Sequence, residues 1–139
     1  MEQGDAFPAP GILPALDALG LEFLTEIFEV EVARHPENLA ALGELGHLYT
    51  KLGKHAQGLA VDRRLVEMRP SDPTTHYNLA CSLALLGETE ACLDALERSV
   101  ELGYDDLEHL LADDDLAAVR GAPRFQVLVK NLETSRGSA

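Results

Sequence analysis

Three consecutive aspartates, Asp113 to Asp115, are the densest group of potential metal ligands in the sequence. A calcium loop of the helix–loop–helix type needs a glycine at its sixth position and a glutamate at its twelfth, and neither follows these aspartates. Aspartate also begins helices well, because its side chain accepts a hydrogen bond from a backbone N–H in the first turn. The pattern therefore favours a helix cap over a calcium site.

The histidines and cysteines indicate neither a metal site nor an enzyme. The five histidines are His35, His47, His55, His76 and His109. No two of them are three or four residues apart, the spacing that would place two ligands on one helix face. His47 and Cys81 would supply the base and the nucleophile of a thiol enzyme, but no orienting third residue or oxyanion donor is evident. We predict a non-catalytic protein without metal or cofactor, in which Cys81 and Cys92 are free thiols.

Charge restricts the partners of the chain. Its 139 residues include 24 acids and 11 bases, which give a net charge of −13. Such a field repels phosphate backbones and anionic lipid, so we predict that neither nucleic acid nor membrane is a partner. The first five residues contain two acids and no base, where a signal peptide requires basic residues, which favours a cytoplasmic location.

The stretch from Leu39 to Pro70 predicts two helices joined by a short turn. In the first helix the apolar residues recur three and four apart, and Gly53 then ends it. The second helix continues until Pro70, whose ring and missing N–H stop it. The apolar residues of the first helix are Leu42, Leu45, Leu48, Tyr49 and Leu52.

This unit recurs 34 residues later, where Pro36 aligns with Pro70 and Gly53 with Gly87. The first copy reads Leu42-x-x-Leu45-Gly46-x-x-Tyr49, followed by Gly58, Asp62 and Pro70. The second reads His76-x-x-Leu79-Ala80-x-x-Leu83, followed by Cys92, Leu96 and Tyr104. Spacing, small residues and turn glycines together resemble the tetratricopeptide repeat family, whose 34-residue unit is a helical hairpin.

The resemblance implies an all-α solenoid of helical hairpins, in a single domain over residues 14–133. Residues 39–72 and 73–104 are two complete repeats, and residues 14–36 are a half repeat. In the half repeat we expect a short helix ending at Gly20, then a helix over 21–34. The core face of that second helix comprises Leu24, Ile27, Phe28 and Val32.

The residues outside the predicted repeats are expected to form an arm, capping helices and a tail. Residues 1–13 are expected to form a flexible arm and residues 134–139 a disordered tail. Residues 105–133 are expected to be capping helices. Within them, residues 115–125 are similar to the closing segment that follows the last repeat in many bacterial tetratricopeptide proteins, and this segment would cover the apolar end of the stack.

In this family the first helix of each repeat lines a concave binding groove. The corresponding positions here are Ala40, Gly43, His47, Thr50, Thr74, Tyr77, Asn78, Cys81 and Ala84. The family's carboxylate clamp is matched only at Asn78. We therefore expect an apolar or basic segment of another protein to bind on Tyr77 and His47, with Tyr77 as its anchor.

The function that this resemblance implies is that of a protein–protein interaction module. A small acidic chaperone for an export or unfolded substrate, or a self-associating scaffold, are the alternatives. A weak homodimer through Phe23, Ile27 and Val30 is also expected. Asp62 stands where the family favours an aromatic residue, and we expect it to face solvent; pairing with a base such as His76 is the alternative.

Overall fold

In the computed structural model, residues 12–137 are described, with side chains from residue 17 onwards. These residues contain helices and no strand, so the all-α prediction is confirmed. The elements are α1 (Ile12–Arg34), α2 (Leu39–Lys51), α3 (His55–Met68), α4 (Pro73–Leu85), α5 (Thr89–Glu101), α6 (Leu107–Ala112), a 3-10 helix (Asp114–Val119) and α7 (Pro123–Gly137). Of the predicted arm, residues 1–11 lie outside the described residues, as do residues 138–139 of the predicted tail.

The described helices fall into two compact units that divide between Lys54 and His55. The first unit contains α1 and α2, and the second contains α3 to α7. The division lies inside the predicted repeat 39–72, and the single domain over 14–133 stays a prediction. Within the described residues, no helix is both long and apolar enough to cross a bilayer.

Two helix boundaries differ from those predicted. α1 runs without interruption through Gly20, so the expected end at this residue is wrong. A glycine inside a helix costs only about 1 kcal/mol relative to alanine, which the strong helix formers on both sides can offset. α7 continues to Gly137, so the predicted tail is helical from Thr134 to Gly137.

α2 begins and ends at the predicted signals. The side chain of Asn38 accepts a hydrogen bond from the backbone N–H of Ala41, at 3.1 Å. At the other end Gly53 has a φ of 75°, and the N–H of Lys54 reaches the carbonyl of Tyr49 at 2.8 Å. This left-handed glycine ends the helix because it satisfies carbonyls of the last turn without a Cβ clash.

The face of α1 that packs on α2 is centred on Thr25 and Val32, which are buried. The predicted core face is therefore wrong at Leu24 and Ile27, whose side chains are 41% and 48% exposed. Tyr49 on α2 donates a 2.5 Å hydrogen bond to Glu29. This bond holds the Glu29 side of α1 against α2 and thereby turns Ile27 towards solvent.

The second unit is built around α4 and α5, with α3 and the C-terminal helices packed on them. The core of this unit includes Ala80, Leu83, Leu93, Leu96, Leu110, Leu116, Val119, Phe125 and Leu128. Residues 115–125 thus contribute three of its largest fully buried side chains, Leu116, Val119 and Phe125. Apolar burial of this kind holds the C-terminal helices on α4 and α5.

Asp62 on α3 is buried, so the expected exposure of this carboxylate is wrong. The hydroxyl of Ser82 on α4 donates a short hydrogen bond to it. His76, the base considered as its partner, instead places a ring nitrogen 2.8 Å from the carbonyl oxygen of Pro70. The hydroxyl of Ser82 lowers the cost of burying the carboxylate, because a buried polar group needs a hydrogen-bond partner.

Candidate functional site

Four of the five exposed large apolar residues in the described part of α1 share one side of the helix: Leu19 is 62% exposed, Phe23 66%, Ile27 48% and Val30 53%. Their spacings of four, four and three residues place them in one strip along the helix, which we call the α1 stripe. The strip contains Phe23, Ile27 and Val30, the residues of the expected homodimer, and Leu19 extends it by a turn. An exposed apolar strip of this kind is typical of an interaction surface.

Acidic residues border the α1 stripe on both sides. At 100° per residue, Glu22 and Glu26 lie along one edge and Glu31 along the other. Glu22 and Glu26 are exposed, whereas Glu31 is half-buried and accepts a 3.0 Å hydrogen bond from Asn38. The stripe is therefore an apolar surface in a negative field.

The predicted groove residues of the first unit are mostly exposed. Ala40, Gly43 and His47 are exposed on α2, and Thr50 is half-buried. The Thr50 hydroxyl donates to the carbonyl of Gly46 at 3.1 Å, which leaves little of this side chain for a ligand. Binding at these positions stays a prediction.

The predicted groove residues of the second unit are largely covered. Thr74 and Asn78 are exposed, but Tyr77, Cys81 and Ala84 are buried. The Tyr77 hydroxyl donates to Asp113 at 2.7 Å, and the ring stacks on Tyr104 with centroids 4.4 Å apart. The expectation that Tyr77 is an exposed anchor is therefore wrong, because the chain after α6 returns to cover this face of α4.

The same return brings together four potential ligands, Cys81, His109, Asp113 and Asp115, which we call the Asp113 cluster. Asp113 Oδ2 lies 3.5 Å from Cys81 Sγ and 3.4 Å from His109 Nε2. Ligand atoms of Cys81, Asp113 and Asp115 all lie within 4.8 Å of one another. One signal for this cluster is visible in the sequence, the four-residue spacing of His109 and Asp113, which a search for histidine pairs misses.

The environment of Cys81 disfavours a nucleophilic thiol. Burial, followed by the charges of Asp113 and Asp115, raises the pKa of Cys81 far above its ordinary range. Burial also raises the pKa of Cys92, to about 11. Because the thiolate is the reactive form, both thiols are protonated and unreactive at neutral pH.

The three tyrosines are expected to resist ionisation in the folded protein. Burial is the largest cause in each case, and it raises the pKa of Tyr49 and Tyr104 to about 12 and that of Tyr77 further. An unfolded tyrosine ionises near pH 10. A spectrophotometric titration should therefore show little tyrosinate at pH 10 for the native protein and about half ionisation for the protein in denaturant.

The sign of the effect on stability follows from these raised values. The unfolded chain loses tyrosine protons first, so stability should fall as the pH rises from about 10 to about 12. Native and denatured titration curves that coincide near pH 10 would contradict the burial of these hydroxyls.

The described helices, with left-handed glycines after α2, α4 and α5, form a tetratricopeptide-like fold. Two solved structures share it. One, "MamA RS-1 ArsTM double mutant", has a TM-score of 0.62 and 22% identity, with 90% of this chain and 73% of that chain covered. The other, "MamA MSR-1 C2", has a TM-score of 0.61 and 17% identity, with 87% and 72% covered.

Two Arabidopsis thaliana proteins are similar in sequence. A chloroplastic protein of that plant is 29% identical over 93 residues, which span 65% of this chain and 28% of that protein. "Protein CTR9 homolog" is 34% identical over 70 residues, which span 50% of this chain and 6% of that protein. The chain thus matches a small part of either relative. No family model matches.

Proposed function

We propose that this chain is a non-catalytic protein–protein interaction module and that the α1 stripe binds a segment of another protein. The exposure of Leu19, Phe23, Ile27 and Val30 carries the proposal, since each side chain leaves about half or more of its surface in water. The tetratricopeptide-like fold supports it, because such repeats present extended surfaces to protein partners.

The acidic edges favour a particular kind of segment. A partner that is itself amphipathic, with an apolar strip flanked by lysine or arginine, would cover the α1 stripe and neutralise Glu22, Glu26 and Glu31 at once. A helix is the natural form of such a segment, because its side-chain ridges can pack along those of α1. Charge complementarity would also speed its association.

A second copy of the chain fits the stripe less well. Two α1 helices packed stripe to stripe would bring their acidic edges together, and juxtaposed like charges disfavour association. The weak homodimer through Phe23, Ile27 and Val30 is therefore the second choice for this surface. A chaperone for an unfolded or export substrate would use the same stripe but would bind extended segments as readily as helical ones.

Two designed peptides test this proposal. One is an amphipathic helix of leucine and lysine, and the other has glutamate in place of each lysine. We expect the lysine peptide to bind and the Phe23→Ser variant to weaken its binding by about 1–3 kcal/mol, the usual cost of removing a central interface anchor. Fluorescence anisotropy at physiological salt measures both affinities.

Val127→Ser is the matched control, because Val127 is 58% exposed on α7. Both variants keep the net charge of −13, so non-specific attraction of the lysine peptide is the same in each. Equal affinity for the two peptides, or an equal effect of the two substitutions, would refute the proposed surface. Sedimentation provides the test for self-association. If the mass of the chain doubles as its concentration rises, and the Phe23→Ser variant remains a monomer, the stripe would be assigned to the homodimer.

A further inference from the structure

The Asp113 cluster combines donor types that proteins use for zinc. It contains a thiol, an imidazole and two carboxylates, and these groups come from separate parts of the second unit. Cys81 lies on α4, His109 on α6, Asp113 just after α6 and Asp115 in the 3-10 helix. Zn²⁺ is bound by such sulfur, nitrogen and oxygen donors, almost always four in a tetrahedral structural site.

Two of the donor spacings, both from Asp113, match the edge of a tetrahedral zinc site. Ligands at the usual zinc bond lengths of about 2.0–2.3 Å are separated by about 3.3–3.5 Å along the edges of a tetrahedron. Asp113 Oδ2 is 3.5 Å from Cys81 Sγ and 3.4 Å from His109 Nε2. Asp115 has a carboxylate oxygen within 4.8 Å of both Cys81 and Asp113, whereas His109 lies outside this group of three and would reach the ion by rotation of its exposed side chain.

Neighbouring groups orient the central ligand. The Tyr77 hydroxyl donates to Asp113 Oδ2 at 2.7 Å, and the backbone N–H of Asp115 donates to Asp113 Oδ1 at 3.0 Å. The His109 ring lies beside the Tyr77 ring, with centroids 5.5 Å apart. Hydrogen bonds to ligating carboxylates are the usual support of a metal site.

Charge and access also fit a divalent ion. A Cys81 thiolate with the Asp113 and Asp115 carboxylates carries three negative charges, and Arg120 adds one positive charge where it donates to the Asp113 carbonyl. A divalent ion would bring this sum to zero. The His109 side chain is 56% exposed, which gives an ion an entry path and lets the ring adjust to it.

We propose that the Asp113 cluster binds one divalent transition-metal ion of the Zn²⁺ type, with Cys81, His109, Asp113 and Asp115 as ligands. The ion would fasten α6 and the 3-10 helix to α4, so its role is structural. Binding ties together residues that are distant in sequence, and it therefore stabilises the folded chain over the unfolded one. This proposal departs from the sequence prediction of a protein without metal.

Co²⁺ is the spectroscopic probe for this site. The full chain, first treated with a chelator, is titrated with Co²⁺ and, by equilibrium dialysis, with Zn²⁺. We expect one ion per chain, visible bands of tetrahedral Co²⁺, and a near-ultraviolet thiolate-to-cobalt band. Zn²⁺ should displace Co²⁺ and raise the melting temperature of the protein.

Substitutions assign the ligands. Cys81→Ser should abolish the thiolate-to-cobalt band, whereas Cys92→Ala should keep it. Loss of a residue that only hydrogen-bonds to a metal ligand typically weakens metal binding roughly tenfold or more. His109→Ala removes a ligand itself, so it should weaken Zn²⁺ binding by at least that factor. His47→Ala, which changes another exposed histidine, should leave the affinity unaltered.

His109→Ala keeps the proposal testable if Cys81→Ser unfolds, because the His109 ring is exposed and its loss should not disturb the core. The proposal is overturned if the chain binds no stoichiometric Co²⁺, if the thiolate band survives Cys81→Ser, or if His109→Ala and His47→Ala have equal affinities for Zn²⁺.

Discussion

Tyr77→Ala is expected to lower the free energy of unfolding by about 3–5 kcal/mol, the range for removing a buried aromatic side chain. The Tyr77 side chain is only 4% exposed, stacks on Tyr104 and donates a hydrogen bond to Asp113. The substitution removes all three contributions and leaves a cavity between α4 and the segment that covers it. Urea unfolding followed by circular dichroism measures the loss.

Two further variants separate these contributions. Tyr77→Phe keeps the stacked ring but removes the hydroxyl donor of the Asp113 carboxylate, and should cost about 1–3 kcal/mol. Asn78→Ala, at the exposed neighbouring position, should change stability by no more than about 0.5 kcal/mol. If Tyr77→Ala has normal stability but no longer binds the lysine peptide, Tyr77 would be a surface anchor as the sequence predicted.

The repeated helices and the turns that follow them could be predicted because their signals are local. Gly53 and Gly87 lie 34 residues apart, and both have left-handed φ values, 75° and 77°. Asn38 and Asp72 likewise precede α2 and α4, and each side chain caps its helix. A glycine that needs positive φ, or a cap that needs a short oxygen-bearing side chain, restricts the residue type directly.

The rotation of α1 could not be predicted in the same way. Leu24 and Ile27 are exposed although they are more apolar than the buried Thr25, so periodicity alone does not select the face that packs. The bond from Tyr49 to Glu29 contributes to that choice, and it joins residues 20 positions apart. Similarly, the buried Asp62 accepts a hydrogen bond from Ser82, a donor that only the packing of α3 on α4 brings close.

The candidate sites were missed for a related reason. Tyr77 and Cys81 occupy positions that line a groove in the tetratricopeptide family, and the resemblance therefore implied that they face a ligand. In this chain Asp113 returns over α4 and contacts both side chains, 36 and 32 residues after them. A rule carried over from a family describes the repeats but not the segment that follows the last one.

The closing segment, residues 115–125, supplies much of the core of the second unit, so removing its largest side chain should destabilise that unit strongly. Phe125→Ala should lower the free energy of unfolding by about 3–5 kcal/mol, because its ring is 1% exposed and lies in one core with Leu116 and Val119. Chemical denaturation measures the loss. Hydrogen exchange should also show faster exchange in α7, since the helix loses its buried anchor.

Val127→Ala is the matched control, because it lies two residues further along α7 and its side chain is 58% exposed. It should change stability by no more than about 0.5 kcal/mol. Arg124, also on α7, pairs with Glu90, Asp94 and Glu97 on α5. Exposed ion pairs contribute little and are screened by salt, so Arg124→Ala should cost less than Phe125→Ala. If Arg124→Ala proves the more damaging substitution, and its effect disappears at high salt, charge and not apolar burial holds the closing segment on α5.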